Sequence, residues 1–232
     1  MIASPILSAS ANLSFEQFQQ QIQREFFQGS GIAAELFAVT VQVRSDLEFD
    51  AAGDPLTPIH DALDWRYTRF GFQVKQTLYG ALLFNEDGSL WQAKLSHPRK
   101  DDRGKAVKYE TRKGNGSRAF LPHIPTSIRR KIADRYGVDV PLAGSFWQWL
   151  EQHPEIEIIF TEGGKKALSL FSLGYVAIAL YGVNGSVLDL WNPLNGEPEF
   201  IAVDKQPDDN IMHPLRLRKT NRLACQSLDP SS

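Results

Sequence analysis

The stretch 156-IEIIFTEGGKKALSLFSLGYVAIALYG-182 decides the fold class of this chain. Two apolar runs rich in Val and Ile, Ile156–Thr161 and Tyr175–Gly182, flank a segment with the length and composition of a helix. Near-continuous apolar runs are typical of strands buried on both faces of a parallel sheet, and a link of this length fits a crossover helix. The stretch therefore predicts a right-handed βαβ unit and an α/β fold class.

The predicted α/β unit occupies residues 143–210, with a third strand at Glu199–Asp204. We expect the three strands to form a mostly parallel sheet. Residues 211–232 are polar, and we expect a disordered tail there, with a single candidate helix near Leu215–Leu223.

Residues 1–142 are predicted to form an N-terminal α+β module. Ser14 and Gln17 have the spacing of a capping box, which predicts an amphipathic helix ending near Gln28. The dipeptide Asp87-Gly88 between apolar runs predicts a β-hairpin.

Two more helices are predicted after this module's strands, at Thr126–Tyr136 and at Ser145–Gln152. The stretch Leu36–Val43 fits a short helix as well as a strand, so the residues leave its structure open.

Composition excludes several classes of protein. A single cysteine, Cys225, rules out a disulfide framework, and the five scattered histidines give no local ligand pair, so we expect no structural zinc. No stretch has the length and hydrophobicity of a membrane span, and the N-terminus lacks the pattern of a signal peptide. We therefore expect a cytoplasmic protein without a membrane partner.

Positive charge is concentrated in one segment of an acidic chain. Residues 94–118 contain nine Lys or Arg against three acids, a local charge of +6 within a chain of net charge −2. Such a concentration attracts polyanions and predicts phosphate contacts, although a solvated loop is an equally good interpretation of the composition. The candidate nucleic-acid-binding residues are Lys94, Arg99, Lys100, Lys105, Lys108, Tyr109, Arg112, Lys113 and Arg118.

The residues that follow the first predicted strand of the βαβ unit have the composition of a phosphate-binding corner. Glu162 falls at the carboxyl end of the strand, where functional groups gather in open α/β sheets. Gly163 and Gly164 allow a tight turn and leave helix N–H groups for an anion, and Lys165 and Lys166 add positive charge. An ordinary helix N-terminal acid with a short turn is the alternative interpretation.

A P-loop is excluded at the same place. Its first glycine would have to be residue 159, which is Ile159, and its Ser or Thr would have to be residue 166, which is Lys166.

The segment TEGGKKALSLFSLGYVAIALYGVNG, residues 161–185, resembles the opening half of the Toprim domain of bacterial primases and topoisomerases. It also resembles a Toprim-like domain of unknown function, 3854, in plasmid and phage replication proteins, especially cyanobacterial ones. The similarity extends to SGI at 30–32 and to the basic stretch at 91–122, so it covers about Ser30–Asp204.

The resemblance implies roles for particular residues. Glu162, with Lys165 and Lys166 beside it, would be the catalytic group, and Glu162 and Asp204 would hold magnesium. The second aspartate of the Toprim Asp-x-Asp pair would fall at Gln206, which predicts weak magnesium binding. Because few residues follow Asp204, we expect the Toprim-like part to be shortened or degenerate.

The sequence and the resemblance together predict a nucleic-acid-binding protein of mobile-element replication. Its expected partners are single-stranded DNA or RNA, with a replicative helicase as a further candidate; the oligomeric state stays open. One alternative is a magnesium-dependent primase- or nuclease-like enzyme that uses Glu162 and Asp204. Another is a nucleotide-binding regulatory module.

Overall fold

The computed structural model describes residues 13–65, 78–112, 114 and 118–180, and the backbone of 187–191 and 198–202. The helices are α1 (Phe15–Gln23), a π-helix (Arg24–Gln28), α2 (Ala34–Thr40), α3 (Pro58–Leu63), α4 (Thr126–Tyr136), α5 (Phe146–Glu151) and α6 (Gly164–Ser172). The strands are β1 (Val41–Ser45), β2 (Glu48–Phe49), β3 (Pro55–Leu56), β4 (Tyr79–Phe84), β5 (Leu90–Leu95), β6 (Ile158–Thr161), β7 (Val176–Ala179), β8 (Val187–Trp191) and β9 (Pro198–Ala202). None of the helices in these ranges has the length and hydrophobicity that crossing a membrane requires.

The predicted capping box begins α1. The backbone N–H of Gln17 donates to Ser14 Oγ at 3.1 Å, and the backbone N–H of Ser14 donates to Gln17 Oε1 at 2.9 Å. The helix continues without a break into the π-helix, whose widened turn is marked by the bond from Gly29 N–H to the Arg24 carbonyl. The helical segment therefore ends at Gln28, as predicted.

An antiparallel sheet in the order β1-β4-β5 forms the centre of the N-terminal part. The predicted hairpin is confirmed as β4 and β5, and Gly88 has a positive φ in its turn. The stretch Leu36–Val43 fitted both a helix and a strand in the sequence analysis. It is helical up to Thr40, in α2, and extended from Val41, in β1.

Both faces of the hairpin are covered. One side packs Leu82, Leu90 and Leu95 against Ile59 and Leu63 of α3. The opposite side contributes to the main core, which joins residues from α1, α2, α4, α5, α6 and β7. Residues before and after the predicted boundary at 142 share this core; the division into two domains stays a prediction.

The predicted βαβ unit is confirmed. β6 and β7 pair in parallel, with Ile158 opposite Val176, and α6 connects them. The expectation that both strands are buried on both faces is wrong for β6, because Ile158 and Phe160 are only half-buried. Within the described residues β6 pairs with β7 alone, whereas the other edge of β7 is bridged by Phe120.

The predicted third strand exists as β9, but its pairing differs from the prediction. β9 pairs antiparallel with β8. Parallel strands need a crossover of about a dozen residues or more, and residues 192–197 between β8 and β9 are too few for one. Asp204, the tail and its candidate helix lie outside the described residues.

Candidate functional site

Residues 161–166, here called the TEGGKK corner, connect β6 to α6. The hydroxyl of Thr161 donates to the Gly163 carbonyl at 3.2 Å, and the same carbonyl accepts the N–H of Lys166 at 3.0 Å, in the first turn of α6. Glu162 follows the carboxyl end of β6 with an exposed side chain. Its carboxylate accepts a hydrogen bond from Lys166 Nζ at 2.5 Å, so the two charged groups lie together on the surface.

The two glycines of the corner have different surroundings. Gly163 has extended backbone, and a side chain built on it would meet no atom within 4 Å. Gly164 is buried, and a Cβ there would come within 2.8 Å of both Leu83 Cδ2 and Trp91 Cζ3. Gly164 therefore lets α6 pack closely on the hairpin, a role that the sequence interpretation assigned to neither glycine.

Lys165 points away from Glu162 toward the N-terminal helix. Its ammonium group donates to one carboxylate oxygen of Glu25, in the π-helix, and Lys94 Nζ on β5 donates to the other. The Lys165 ammonium also lies 5.8 Å from the centre of the Phe26 ring. Glu25, Lys94 and Lys165, here called the Glu25 triad, thus join three elements that are far apart in the sequence.

The triad is electrostatically coupled. Burial acts to raise the pKa of Glu25, but hydrogen bonds from Lys165 and Lys94 outweigh it and hold this pKa below its ordinary value. Burial, with a contribution from the Glu25 charge, raises the pKa of Tyr109 to about 12. At neutral pH the arrangement therefore comprises one carboxylate between two ammonium groups, with a neutral phenol nearby.

The basic segment, Lys94–Arg118, leaves the hairpin and returns to it. Ala93 and Glu110 exchange two backbone hydrogen bonds of 2.8 Å each. Arg99 binds the buried Glu110 carboxylate through two hydrogen bonds of 2.7 and 2.8 Å. This contact is an isolated bridge between Ala93 and Glu110 rather than a longer pairing of strands.

The segment's candidate residues differ in exposure. Lys94 and Tyr109 are half-buried, and Lys113 lies outside the described residues. The exposed candidates are Arg99, Lys100, Lys105, Lys108, Arg112 and Arg118. Among these, Arg99 pairs with Glu110 and Arg118 pairs with Asp87 at 3.2 Å. Trp91 and Phe120 stack on each other in the core.

The surroundings of Glu162 bear on the magnesium expectation. Within the described residues no group of three His, Cys, Asp or Glu side chains comes together, and the Glu162 carboxylate is in contact with the Lys166 ammonium group. Asp204, the second ligand that the resemblance implies, lies outside the described residues, so its approach to Glu162 stays a prediction.

Glu25 is the site residue that the sequence did not indicate. It lies on a helix whose pattern predicts only packing, and it is separated from Lys165 by 140 positions. The π-helix, a frequent feature of functional sites, has no recognisable sequence signal here.

Comparison with known proteins matches part of the chain to a domain family. Residues 146–191, from α5 through β8, match the family described as Domain of unknown function (DUF3854). No solved structure gives a significant match.

A curated relative extends the similarity beyond that domain. It is an uncharacterized protein of Picosynechococcus sp. (strain ATCC 27264 / PCC 7002 / PR-6), 34% identical over 171 residues. The alignment covers 69% of this chain and 17% of the relative, so the chain corresponds to a small part of that protein.

Proposed function

We propose that this chain binds single-stranded DNA or RNA in the replication of a mobile element such as a plasmid or phage. In this proposal the basic segment supplies the binding surface, and the Toprim-like βαβ unit lies beside it.

The observation that carries the proposal is how the basic segment is anchored. The segment is anchored to β5 through the bridge between Ala93 and Glu110. Just after Arg118, the chain joins the edge of β7, because the N–H of Phe120 donates to the Ala179 carbonyl at 2.8 Å. Its first lysine, Lys94, is linked through Glu25 to Lys165 of the TEGGKK corner. The described ends of the basic segment are therefore anchored to β5 and β7, and its first lysine lies beside the start of α6.

Positive groups held in this way favour a polyanion. Each phosphate that a Lys or Arg neutralises releases condensed counterions, so binding weakens steeply as salt is added. Lys100, Lys105, Lys108 and Arg112 are exposed and accessible to a strand's phosphates. The Toprim-like interpretation of the adjacent unit, and with it the role in replication, is supported by the resemblance of the TEGGKK corner.

Fluorescence anisotropy with a labelled oligothymidylate tests the proposal at low ionic strength. The double variant Lys105→Glu/Arg112→Glu is expected to lose binding. The matched control Arg130→Glu/Lys131→Glu changes the net charge by the same amount at exposed positions of α4, outside the segment and away from Glu25, and is expected to retain most of the binding. Equal loss in both variants, or unchanged binding by a folded Lys105→Glu/Arg112→Glu protein, would contradict the proposal.

A second candidate function is magnesium-dependent phosphoryl transfer. It is favoured by the exposed carboxylate of Glu162 at the carboxyl end of a parallel strand, the position of functional groups in such sheets. In this case turnover on DNA would require Glu162 and the predicted partner Asp204.

A further inference from the structure

We propose that the carboxylate of Glu25 occupies the position of a phosphate group of the ligand, so that binding exchanges one anion for another on Lys94 and Lys165. The inference rests on the proposed function, which it deepens by naming where a phosphate binds and which internal group it must displace.

The first argument is geometric. Glu25 presents one oxygen to Lys165 and the other to Lys94, so both ammonium groups converge on one two-oxygen anion. A phosphodiester also has two terminal oxygens that share one negative charge, and the same cationic side chains bind carboxylates and phosphates. Two lysines that hold this carboxylate are therefore placed to hold a phosphate.

The second argument is charge and access. Two ammonium groups and one carboxylate leave a charge of +1, so Glu25 does not neutralise the triad. The side chains of Glu25, Lys94 and Lys165 are 26%, 23% and 28% exposed, so solvent and ligand reach the group without unfolding it. In this proposal the Glu25 side chain leaves the lysines by a change of rotamer, whereas the lysines stay on β5 and α6.

The third argument is position. Lys94 is the first residue of the basic segment, and Lys165 lies in the first turn of α6. In this proposal a strand bound along the exposed lysines of the segment continues toward the TEGGKK corner and passes this point. Glu25 is the acidic residue at this point. A phosphate must therefore displace its carboxylate before the strand can bind to both the basic segment and the TEGGKK corner.

A purely structural ion pair predicts the opposite behaviour. If Glu25 only ties the π-helix to β5 and α6, its removal loosens the lysines and leaves phosphate affinity unchanged or weaker. If Glu25 competes with the ligand, its removal tightens binding.

The test measures oligothymidylate affinity of the full chain by anisotropy over a range of salt concentrations. Glu25→Gln keeps the shape of the side chain without its charge and is expected to bind about threefold to tenfold tighter than the unmodified protein. Glu48→Gln is the matched control, because Glu48 also pairs with a basic residue, Arg44 on β1. It is expected to change affinity by less than about twofold.

Variants of Lys94 and Lys165 provide a second test that does not depend on whether Glu25→Gln folds. Lys94→Gln and Lys165→Gln are each expected to weaken binding and to lower the salt slope by about one, whereas Lys165→Arg keeps the charge and the slope. Unchanged or weaker binding by folded Glu25→Gln overturns the inference. So do lysine variants that bind like the unmodified protein.

A second arm separates this inference from the proposed function by titrating pyrophosphate calorimetrically. One outcome is that no variant binds oligothymidylate but Glu25→Gln binds pyrophosphate more tightly than the unmodified protein. The proposed nucleic-acid binding is then wrong, whereas the proposed exchange of Glu25 for a phosphate is correct for a free phosphate compound. If neither probe binds to any variant, both proposals are overturned.

Discussion

The ammonium group of Lys165 donates a hydrogen bond to the carboxylate of Glu25, 140 positions earlier in the chain. This contact connects the start of α6 to the N-terminal helical segment. Lys94 on β5 donates to the same carboxylate and so connects β5 to both. Stability is therefore expected to depend on this carboxylate, and under our proposal ligand affinity depends on it as well.

The first prediction concerns pH. Because the pKa of Glu25 is lowered on folding, its contribution to stability is present above its unfolded pKa, near 4.5, and is lost as pH falls through the folded value. Glu25→Gln is expected to lower the free energy of unfolding by about 1 kcal/mol at pH 7, and by progressively less as the pH falls below 4.5. Urea unfolding at a series of pH values from 7 downward measures this, with the exposed Glu157→Gln as control. A difference that stays constant over this series would contradict it.

The second prediction separates the two glycines of the TEGGKK corner. Gly164→Ala places a methyl group within 2.8 Å of Leu83 and Trp91 in the core and is expected to cost about 1–3 kcal/mol of stability. Gly163→Ala meets no neighbouring atom and is expected to change stability by less than about 0.5 kcal/mol. Thermal and urea unfolding compare the variants; equal stability of the two would show that α6 does not pack so closely on the hairpin.

The third prediction concerns the buried guanidinium of Arg129. It donates to the carbonyls of Ile124 at 2.8 Å and of Pro141 and Gly144 at 2.7 Å each, and so connects α4 to the loop before α5. Arg129→Lys cannot make these bonds together and is expected to destabilise the protein by about 2–4 kcal/mol.

The neighbouring exposed residue provides the control for Arg129. Arg130→Lys is expected to be neutral within about 0.5 kcal/mol, since surface substitutions without special contacts rarely do more. Similar unfolding midpoints for the two variants would refute the predicted role of Arg129.

The fourth prediction concerns magnesium. Gln206 stands where the resemblance implies a second aspartate, and Lys166 contacts the carboxylate of Glu162. We expect calorimetric titration of the protein alone to show no submillimolar magnesium affinity, because the ion needs carboxylates and phosphates to replace its water. Submillimolar binding, or primer synthesis or nicking that Glu162→Gln abolishes and Glu157→Gln retains, would instead support the enzymatic candidate.

Several elements were predictable because their signals are local. Ser14 and Gln17 form the capping box within one helical turn, and the Asp87-Gly88 dipeptide forms the hairpin turn. The βαβ unit follows from two apolar runs and the segment between them. Each of these depends on backbone and side-chain preferences that act over a few residues.

Other features depend on partners that pattern alone does not identify. The apolar run of β6 predicts burial on both faces, but within the described residues this strand has one neighbour and stays half-buried. The direction of β9 follows from its short connection to β8 rather than from its own residues. The two glycines at 163 and 164 look equivalent in sequence, and only the hairpin beneath Gly164 makes them different.

The sequence by itself determined the α/β class, the helix and hairpin signals, the position of Glu162 after a strand and the charge of the basic segment. Only the tertiary structure decided that Glu25 lies between Lys94 and Lys165. The physical reason is that local propensities act over a few residues, whereas an ion pair forms wherever core packing brings opposite charges together. That packing involves segments that are far apart in the sequence, since the π-helix, β5 and α6 meet around the main core.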